Sequence, residues 1–379
     1  MQKKHPTRNI FSNFGLVPLC IILAFSMNTY AEPLKVSFLS PERPENLFWG
    51  QVISFAKAVA EDLNIELDIV YPPPASSASS YVMKRMGLQM LNRDSKPDYI
   101  LTGYWGRPTL DIFEAAKPYD IRFFIFNTAI TNPERLGFDK PRGKYANVIG
   151  HMYPDDRQGS YALTEILIQK AMEIKNKPEY TVVAISGDTT SNISIERLAG
   201  MQKQIERNPN FEIVQIFNTI WTRKSAETAA SHMLNEYTDT DLLWTVSNDV
   251  ALGAIQALKA DNVHPGKDIL VGSFDWSGEG LAAIKNGEMV ASMGGHFMEA
   301  GWALVLIHDY HNGKDFNIDP GVESVTKMQA ITETNVNEYL RLFGDRNWRK
   351  IDFRKFSKTL NPDLKKYDFS LNAILANVK

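Results

Sequence analysis

Leu242-Leu-Trp-Thr-Val-Ser-Asn-Asp-Val-Ala-Leu-Gly-Ala-Ile-Gln-Ala-Leu258 carries an apolar strand straight into a small helix, with Asn248 and Asp249 at the turn between them. In an open α/β sheet, ligands bind in the crevice outside the carboxyl ends of the strands. A strand that ends in an amide and a carboxylate presents both groups there. The pattern recurs as Leu270-Val-Gly-Ser-Phe-Asp275-Trp276 ahead of a second helix.

Outward from this stretch, short apolar runs alternate from Leu34 onward with longer segments of helical period, as in a parallel sheet wound by crossover helices. Strands are predicted at 34–39, 66–71, 99–102, 122–127, 148–150, 181–186, 212–217, 241–246, 268–274 and 289–293. The helix after the first strand places Val52, Ile53, Phe55, Ala56, Val59, Ala60 and Leu63 on one face. Two stretches break the rhythm, 130–146 and 315–321, and both read as crossings between lobes. The Pro72-Pro-Pro74 run and the Ala/Ser segment after it read as a stiff loop at a cleft rim.

The chain opens with Lys3, Lys4 and Arg8 ahead of an apolar stretch from Phe14 to Met27 and the small-residue ending Thr29-Tyr30-Ala31, which reads as an export signal cleaved after Ala31. The single cysteine, Cys20, falls inside it, so the exported protein holds no disulfide and must rely on large packed cores. The 348 residues beyond Ala31 exceed one ordinary core and imply two lobes. Losing three cations and no acid takes the formal charge from −3 to −6, which gives no footing for nucleic acid. No later stretch approaches the roughly 18 apolar residues a spanning helix needs. The last fifty residues turn polar and basic with aromatics, as in Trp348-Arg-Lys-Ile-Asp-Phe-Arg-Lys-Phe356, and read as a tail that wraps a lobe or as an arm for a partner.

The stretch Asn46-Leu-Phe-Trp-Gly-Gln-Val-Ile-Ser-Phe-Ala-Lys-Ala-Val-Ala-Glu-Asp-Leu63 resembles the opening of the ribose-type periplasmic binding proteins. The segments Gly187–Gly200, Ser247–Ala254 and Gly272–Gly287 follow in that family's order. Within it, Phe126-Asn-Thr-Ala-Ile-Thr-Asn-Pro133 and Asp249–Ala254 are similar to the autoinducer-2 receptor branch. The resemblance implies two doubly wound parallel-sheet lobes joined by three hinge crossings, with a ligand closed between them. The expected division is an export signal at 1–31, a first lobe at 32–144 plus 296–322, a second at 145–295 plus 323–331, and an extension at 332–379.

A polyhydroxylated ligand needs fixed amide, carboxylate and guanidinium groups around its rim and aromatic plates against its C–H faces. By the resemblance, Asn46, Asn127, Arg197, Asn248, Asp249 and Asp275 match polar ligand contacts, and Phe48, Trp49 and Trp221 match aromatic plates. Six of them have a plainer reading. Asp249 and Asp275 could cap helices, and Arg197 could pair with Glu196 or Asp188 on a helix surface. Phe48 and Trp49 could staple the first helix, and Trp221 could be core. A guanidinium fork nevertheless suits a diol or carboxylate better than a lysine would.

The chain also departs from its relatives. Asn127-Thr128 stands where ribose receptors have Asp-Arg, Pro44-Glu45 replaces polar contacts of the autoinducer-2 receptor, and Gly295 beside His296 stands where relatives have glutamine or a second arginine. His151 and His296 have no carboxylate or second histidine at ligand spacing, so no metal and no cofactor is expected, and His308 and His311 read as solvated. The loop 186–191 lacks the spacing of a phosphate-binding loop and reads as cleft wall.

The function implied is capture of a sugar or sugar-like solute in the periplasm by a monomer that delivers it to a membrane ABC permease. A receptor that signals to a sensor kinase is the alternative. No nucleophile–base pair or working carboxylate pair supports an enzyme, and an export signal stands where a repressor would carry its DNA-binding helices. Replacing Arg197 or Asp249 by alanine is expected to abolish binding without unfolding.

Overall fold

The inner strands of both sheets are buried and largely apolar on both faces, because helices cover each sheet on both sides. The computed structural model describes residues 1–3, 33–74, 79–130 and 137–379, of which Pro33–Lys379 form one unit. The predicted export segment, part of the Ala/Ser rim loop and 131–136 lie outside the described residues.

The chain runs β1 (Leu34–Leu39), α1 (Leu47–Asp62), β2 (Ile65–Val70), α2 (Ser80–Leu91), β3 (Tyr99–Thr102), α3 (Arg107–Ala116), β4 (Arg122–Phe126) and β5 (Val148–Pro154). It continues with α4 (Asp156–Ile174), β6 (Tyr180–Ser186), α5 (Asn192–Ile205), β7 (Phe211–Asn218), α6 (Arg223–Glu236), β8 (Thr240–Thr245), α7 (Asn248–Ala260), β9 (Leu270–Phe274), α8 (Gly278–Lys285) and β10 (Ala291–Gly294). Last come α9 (Glu299–His311), β11 (Glu323–Thr326), β12 (Gln329–Thr332), α10 (Val336–Phe343) and α11 (Leu371–Ala376).

The first sheet has the order β11-β5-β4-β3-β1-β2 and the second β12-β10-β9-β8-β6-β7, parallel throughout except for the β10–β12 pair. Strand β4 shows how one sheet serves two cores. Phe124 and Phe126 join the cluster holding Phe38 and Phe55 of α1, while Phe123 and Ile125 face Met83 of α2 and Phe113 of α3. In both sheets the winding reverses between the first and third strands of the lobe, β1 and β3 or β6 and β8, which is where such sheets open a ligand crevice.

Three passages join the lobes: after β5 at Asp155, after β10 at Gly295, and between β11 and β12 at Lys327-Met328. Gly295 turns with φ +101°, a region open chiefly to glycine. These positions correct two of the expected crossings. In the segment 130–146, the described Ile130, Phe138 and Tyr145 pack into the first lobe beside Phe113, so β5 and residues 145–154 belong to that lobe. In 315–321, Asp315 pairs with Arg142 at 2.7 Å and Phe316 packs near Phe124, which keeps this turn in the first lobe too. The strand β11 at 323–326 pairs with β5 and is likewise first-lobe structure. Polar, proline-rich composition reads as linker, but the inward aromatics decide the placement. The tail lies against both lobes, where one was expected: Tyr339 of α10 meets Trp276 in the second and Trp348 meets Phe55 in the first.

Candidate functional site

Arg197 is the centre of the cleft chemistry, and it is 2% exposed. It rises from α5 so that its Nε donates to Asp156 Oδ1 at 2.7 Å and its Nη1 to the Val246 carbonyl at 2.7 Å. Nη1 also lies 3.6 Å from Asp275 Oδ1, Nη2 lies 3.3 Å from His296 Nε2, and the guanidinium sits 4.3 Å over the Phe274 ring. Neither expected surface partner is used: Glu196 pairs with Arg157, and Asp188 binds Thr190 and Trp221. Burial pushes the Asp156 carboxyl up, and the Arg197 charge opposes that.

Asp275 leaves β9 with φ +99°, and Trp276 follows at +52°. Together with Asn127 at +76° and Trp221 at +64°, these are left-handed conformations at non-glycine residues, each costing about 1–3 kcal/mol, and such strain collects at functional sites. The cap of α8 is Ser277, so Asp275 is free of that duty and aims at Arg197 and at His296 Nε2, 3.3 Å away. Its backbone carbonyl accepts from Gln51 Nε2 of α1 at 3.2 Å, a bond that crosses between the lobes.

The first lobe answers with aromatic rings. Asn46 caps α1 by accepting from the Phe48 and Trp49 amides, which fixes those two half-buried rings in the first turn. Phe48 stacks on His296 with centroids 4.9 Å apart, and Trp49 lies edge-on to Phe48 and to Phe126. His296 therefore touches Phe48 of one lobe and Arg197 and Asp275 of the other. Its buried Nδ1 has no hydrogen-bond partner among the described residues. Asn127 follows β4, and its backbone N–H donates to Met152 O at 3.0 Å and to Glu299 Oε2 at 3.1 Å. Glu299 also accepts from Thr326, and its burial pushes the carboxyl up to about 8.

The remaining expected residues stand further from this centre. Trp221 packs its ring against Gly187 and donates Nε1 to Asp188 Oδ2 at 2.9 Å, forming a wall of the second lobe. Burial raises the Asp249 carboxyl, and Arg223, at 2.9 Å, opposes it while also binding Glu279. The cap of α7 is Ser247, so Asp249 does not serve as that cap. Asn248 is engaged inside its own lobe. Its Nδ2 donates to Ser292 Oγ at 3.1 Å, and its Oδ1 accepts from the Ser277 amide at 2.8 Å and the Ser277 hydroxyl at 3.0 Å. Asn46 is exposed and held by its capping bonds.

Gln51, Asp156 and Glu299 join the cleft without having been singled out. Nothing in the spacing around them marks it: each sits in a helix where a surface polar residue would read the same. His296 stands beside the Gly295 departure and at a crossing, and among the described residues no group of three His, Cys, Asp or Glu could hold a metal. His308 departs from the solvated reading: it is buried beside Asp309 and Ser357, and only His311 is exposed. That Ser-His-Asp group is no catalytic triad, because Ser357 and Asp309 both approach the same nitrogen, Nδ1.

A family model described as periplasmic binding protein domain matches residues 36–315. The galactofuranose-binding protein YtfQ of Escherichia coli K12 is 30% identical over 281 residues, 73% of this chain and 82% of that protein. A periplasmic sugar-binding protein from Pseudomonas fluorescens superposes with a TM-score of 0.80 at 27% identity, covering 90% of this chain and 99% of that one. A galactofuranose-binding protein structure shares the fold at a TM-score of 0.69 and 20% identity, over 83% of this chain and all of that one. The family model spans strands of both sheets and the passages at Asp155 and Gly295, and the chain belongs to the periplasmic binding protein domain family.

Proposed function

We propose that this protein captures a monosaccharide between its lobes in the periplasm and delivers it, as a monomer, to a membrane ABC importer. The observation that carries this reading is the meeting of unlike groups at the cleft. A buried Arg197–Asp275–His296 set from the second lobe and the crossing faces Phe48 and Trp49 of the first. Sugars need that combination, because their hydroxyls both donate and accept while their C–H faces are apolar.

In this arrangement the lobes touch through Gln51 and Asp275, and through Asn192 and the Ala129 carbonyl. A sugar entering an opened cleft would exchange its hydroxyls for the contacts that Arg197, Asp275 and His296 now make with one another. Asn127 and Trp221 would form its walls, and Asp249 would act with Arg223 at the rim. Asn46 and Asn248 support the site by holding α1 and α8. The names of the relatives put furanose forms of hexoses among the first sugars to try, and those relatives give no support to the sensor alternative.

The test is a thermal-shift screen of aldoses, polyols and furanosides, since a ligand that binds only the folded state raises the melting temperature. A sugar that raises it, and that also changes tryptophan fluorescence, supports the reading. A protein unmoved by every sugar at millimolar concentration contradicts it.

A further inference from the structure

We propose that the tail after β12 is a strap that ties the two lobes together outside the three crossings and limits how far the cleft opens. It crosses from the second lobe to the first and then back to the second. On the second lobe, Val336, Tyr339 and Phe343 of α10 are buried, α10 packs against α8, and Tyr339 lies edge-on to Trp276 at 5.3 Å. On the first lobe, the Trp348 ring sits 5.5 Å from Phe55 of α1 and 5.3 Å from Phe297, and its Nε1 donates to Ser54 Oγ at 3.0 Å. Phe353 packs on Phe55, and Phe356 and Phe369 pack on Trp302 of α9.

Polar bonds pin the first-lobe anchor. Asp309 of α9 accepts from the Ser357 hydroxyl at 2.5 Å, the Lys358 amide at 2.6 Å and the Tyr367 hydroxyl at 2.7 Å. Asp62 of α1 accepts from the Phe353 amide at 2.7 Å. The chain then returns to the second sheet, where the Leu371 amide donates to Gln329 Oε1 of β12 at 3.1 Å.

Only Gly344, Asp345, Arg346 and Asn347 separate the two anchors. Four residues reach about 14 Å at full extension, and here they are folded back so that the Phe343 and Trp348 rings lie 5.5 Å apart. The result is an aromatic run from Trp276 through Tyr339, Phe343 and Trp348 to Phe297. Its ends are the residues that follow Asp275 and His296. In the proposed strap, rotating the lobes apart draws the two anchors apart, and the connector sets how far they go.

The experiment lengthens the connector and leaves every anchor side chain in place. Six Gly-Ser residues inserted between Asp345 and Arg346 add up to about 20 Å of reach, and Gln329→Ala in the same variant removes the acceptor of the returning Leu371 amide. Residues 32–379 contain no cysteine, so in a protein of those residues labels can be placed at Tyr81→Cys and Ile220→Cys, one exposed position on each lobe. Pulsed dipolar spectroscopy of the ligand-free protein then reads the inter-lobe separation.

The strap predicts that the insertion shifts the distribution to longer separations. Phe343→Leu, which weakens the ring contact without opening a large hole, shifts it the same way by less. Identical distributions for the parent and a folded insertion variant would overturn the proposal. If the insertion variant does not fold, an unchanged distribution in Phe343→Leu overturns it equally. No sugar is present in the measurement, so its outcome is independent of what the cleft binds.

Discussion

Arg197 does two things at once, and that changes what its removal should do. The guanidinium neutralises Asp156, which is itself buried, and also faces Asp275 at the cleft. Arg197→Ala leaves Asp156 without its partner, a loss that typically costs about 3–5 kcal/mol. Urea unfolding should show a deficit of that size, contrary to the expectation that the arginine could be removed without unfolding; a loss under about 1 kcal/mol would show that Asp156 does not depend on it. Asp275→Asn is the cleaner probe of binding, because it keeps the side chain's shape and removes only the charge. Glu299 gives a second prediction at this scale. Its carboxyl sits at about 8 in the folded protein against 4.5 unfolded. Between those values the fold holds a proton that the unfolded chain has lost, so its stabilising effect is full below about 4.5 and is lost as the pH rises through about 8. Glu299→Gln keeps polar groups facing Asn127 and Thr326 without titrating. Its advantage over the parent should grow from pH 5 to pH 8, by a few kcal/mol on the order set by the shift. Parallel pH profiles of the two proteins would contradict the assignment.

Helix α9 shows how one element links the site to the tail. It opens with Glu299 at the hinge and, near its end, carries Asp309, which gathers the Ser357, Lys358, Thr359 and Tyr367 donors. Burial alone would raise the Asp309 carboxyl, yet the hydrogen bonds from His308, Ser357, Tyr367 and Lys358 outweigh it and hold the group at about 2. A depressed acid stabilises the fold above its unfolded value of 3.8 and ceases to do so as the pH falls through about 2. Asp309→Asn should therefore cost about 1–3 kcal/mol at neutral pH, with the gap closing in acid; chemical denaturation at pH 7 and pH 3 checks this, and an equal gap at both would contradict it. The elements themselves were largely legible in the sequence. The run Arg122-Phe-Phe-Ile-Phe126 and the one-sided pattern of α1 have few other ways to fold. The crossings were not, because 137–146 carries linker-like residues around two inward aromatics, and β11 and β12 are only four residues each. Of the candidate site, Asn127 and Asp275 were legible because each is a polar residue directly after a strand. The site was not legible at Asp156 or Gln51, whose roles come from what a second lobe brings against them.

At the scale of the whole molecule, two sheets of the same winding order face each other across three narrow passages, with the tail as a fourth tie. The described residues contain no helix long and apolar enough to cross a membrane. The lobes meet through few direct bonds, Gln51 to Asp275 and Asn192 to Ala129 among them, so a ligand that bridges them can shift the balance between open and closed forms by its own contacts. In the function proposed above, these contacts are made to a sugar held by Asp275. Isothermal titration calorimetry at pH 7.5, with the sugar that gives the largest thermal shift, compares the parent protein with Asp275→Asn. One site per chain is expected in the parent and a loss of affinity of about 10- to 150-fold in the variant, since a hydrogen bond to a buried charged group is worth about 1.5–3 kcal/mol. Equal affinity in the two proteins, or no binding heat from any sugar in the panel, would contradict it.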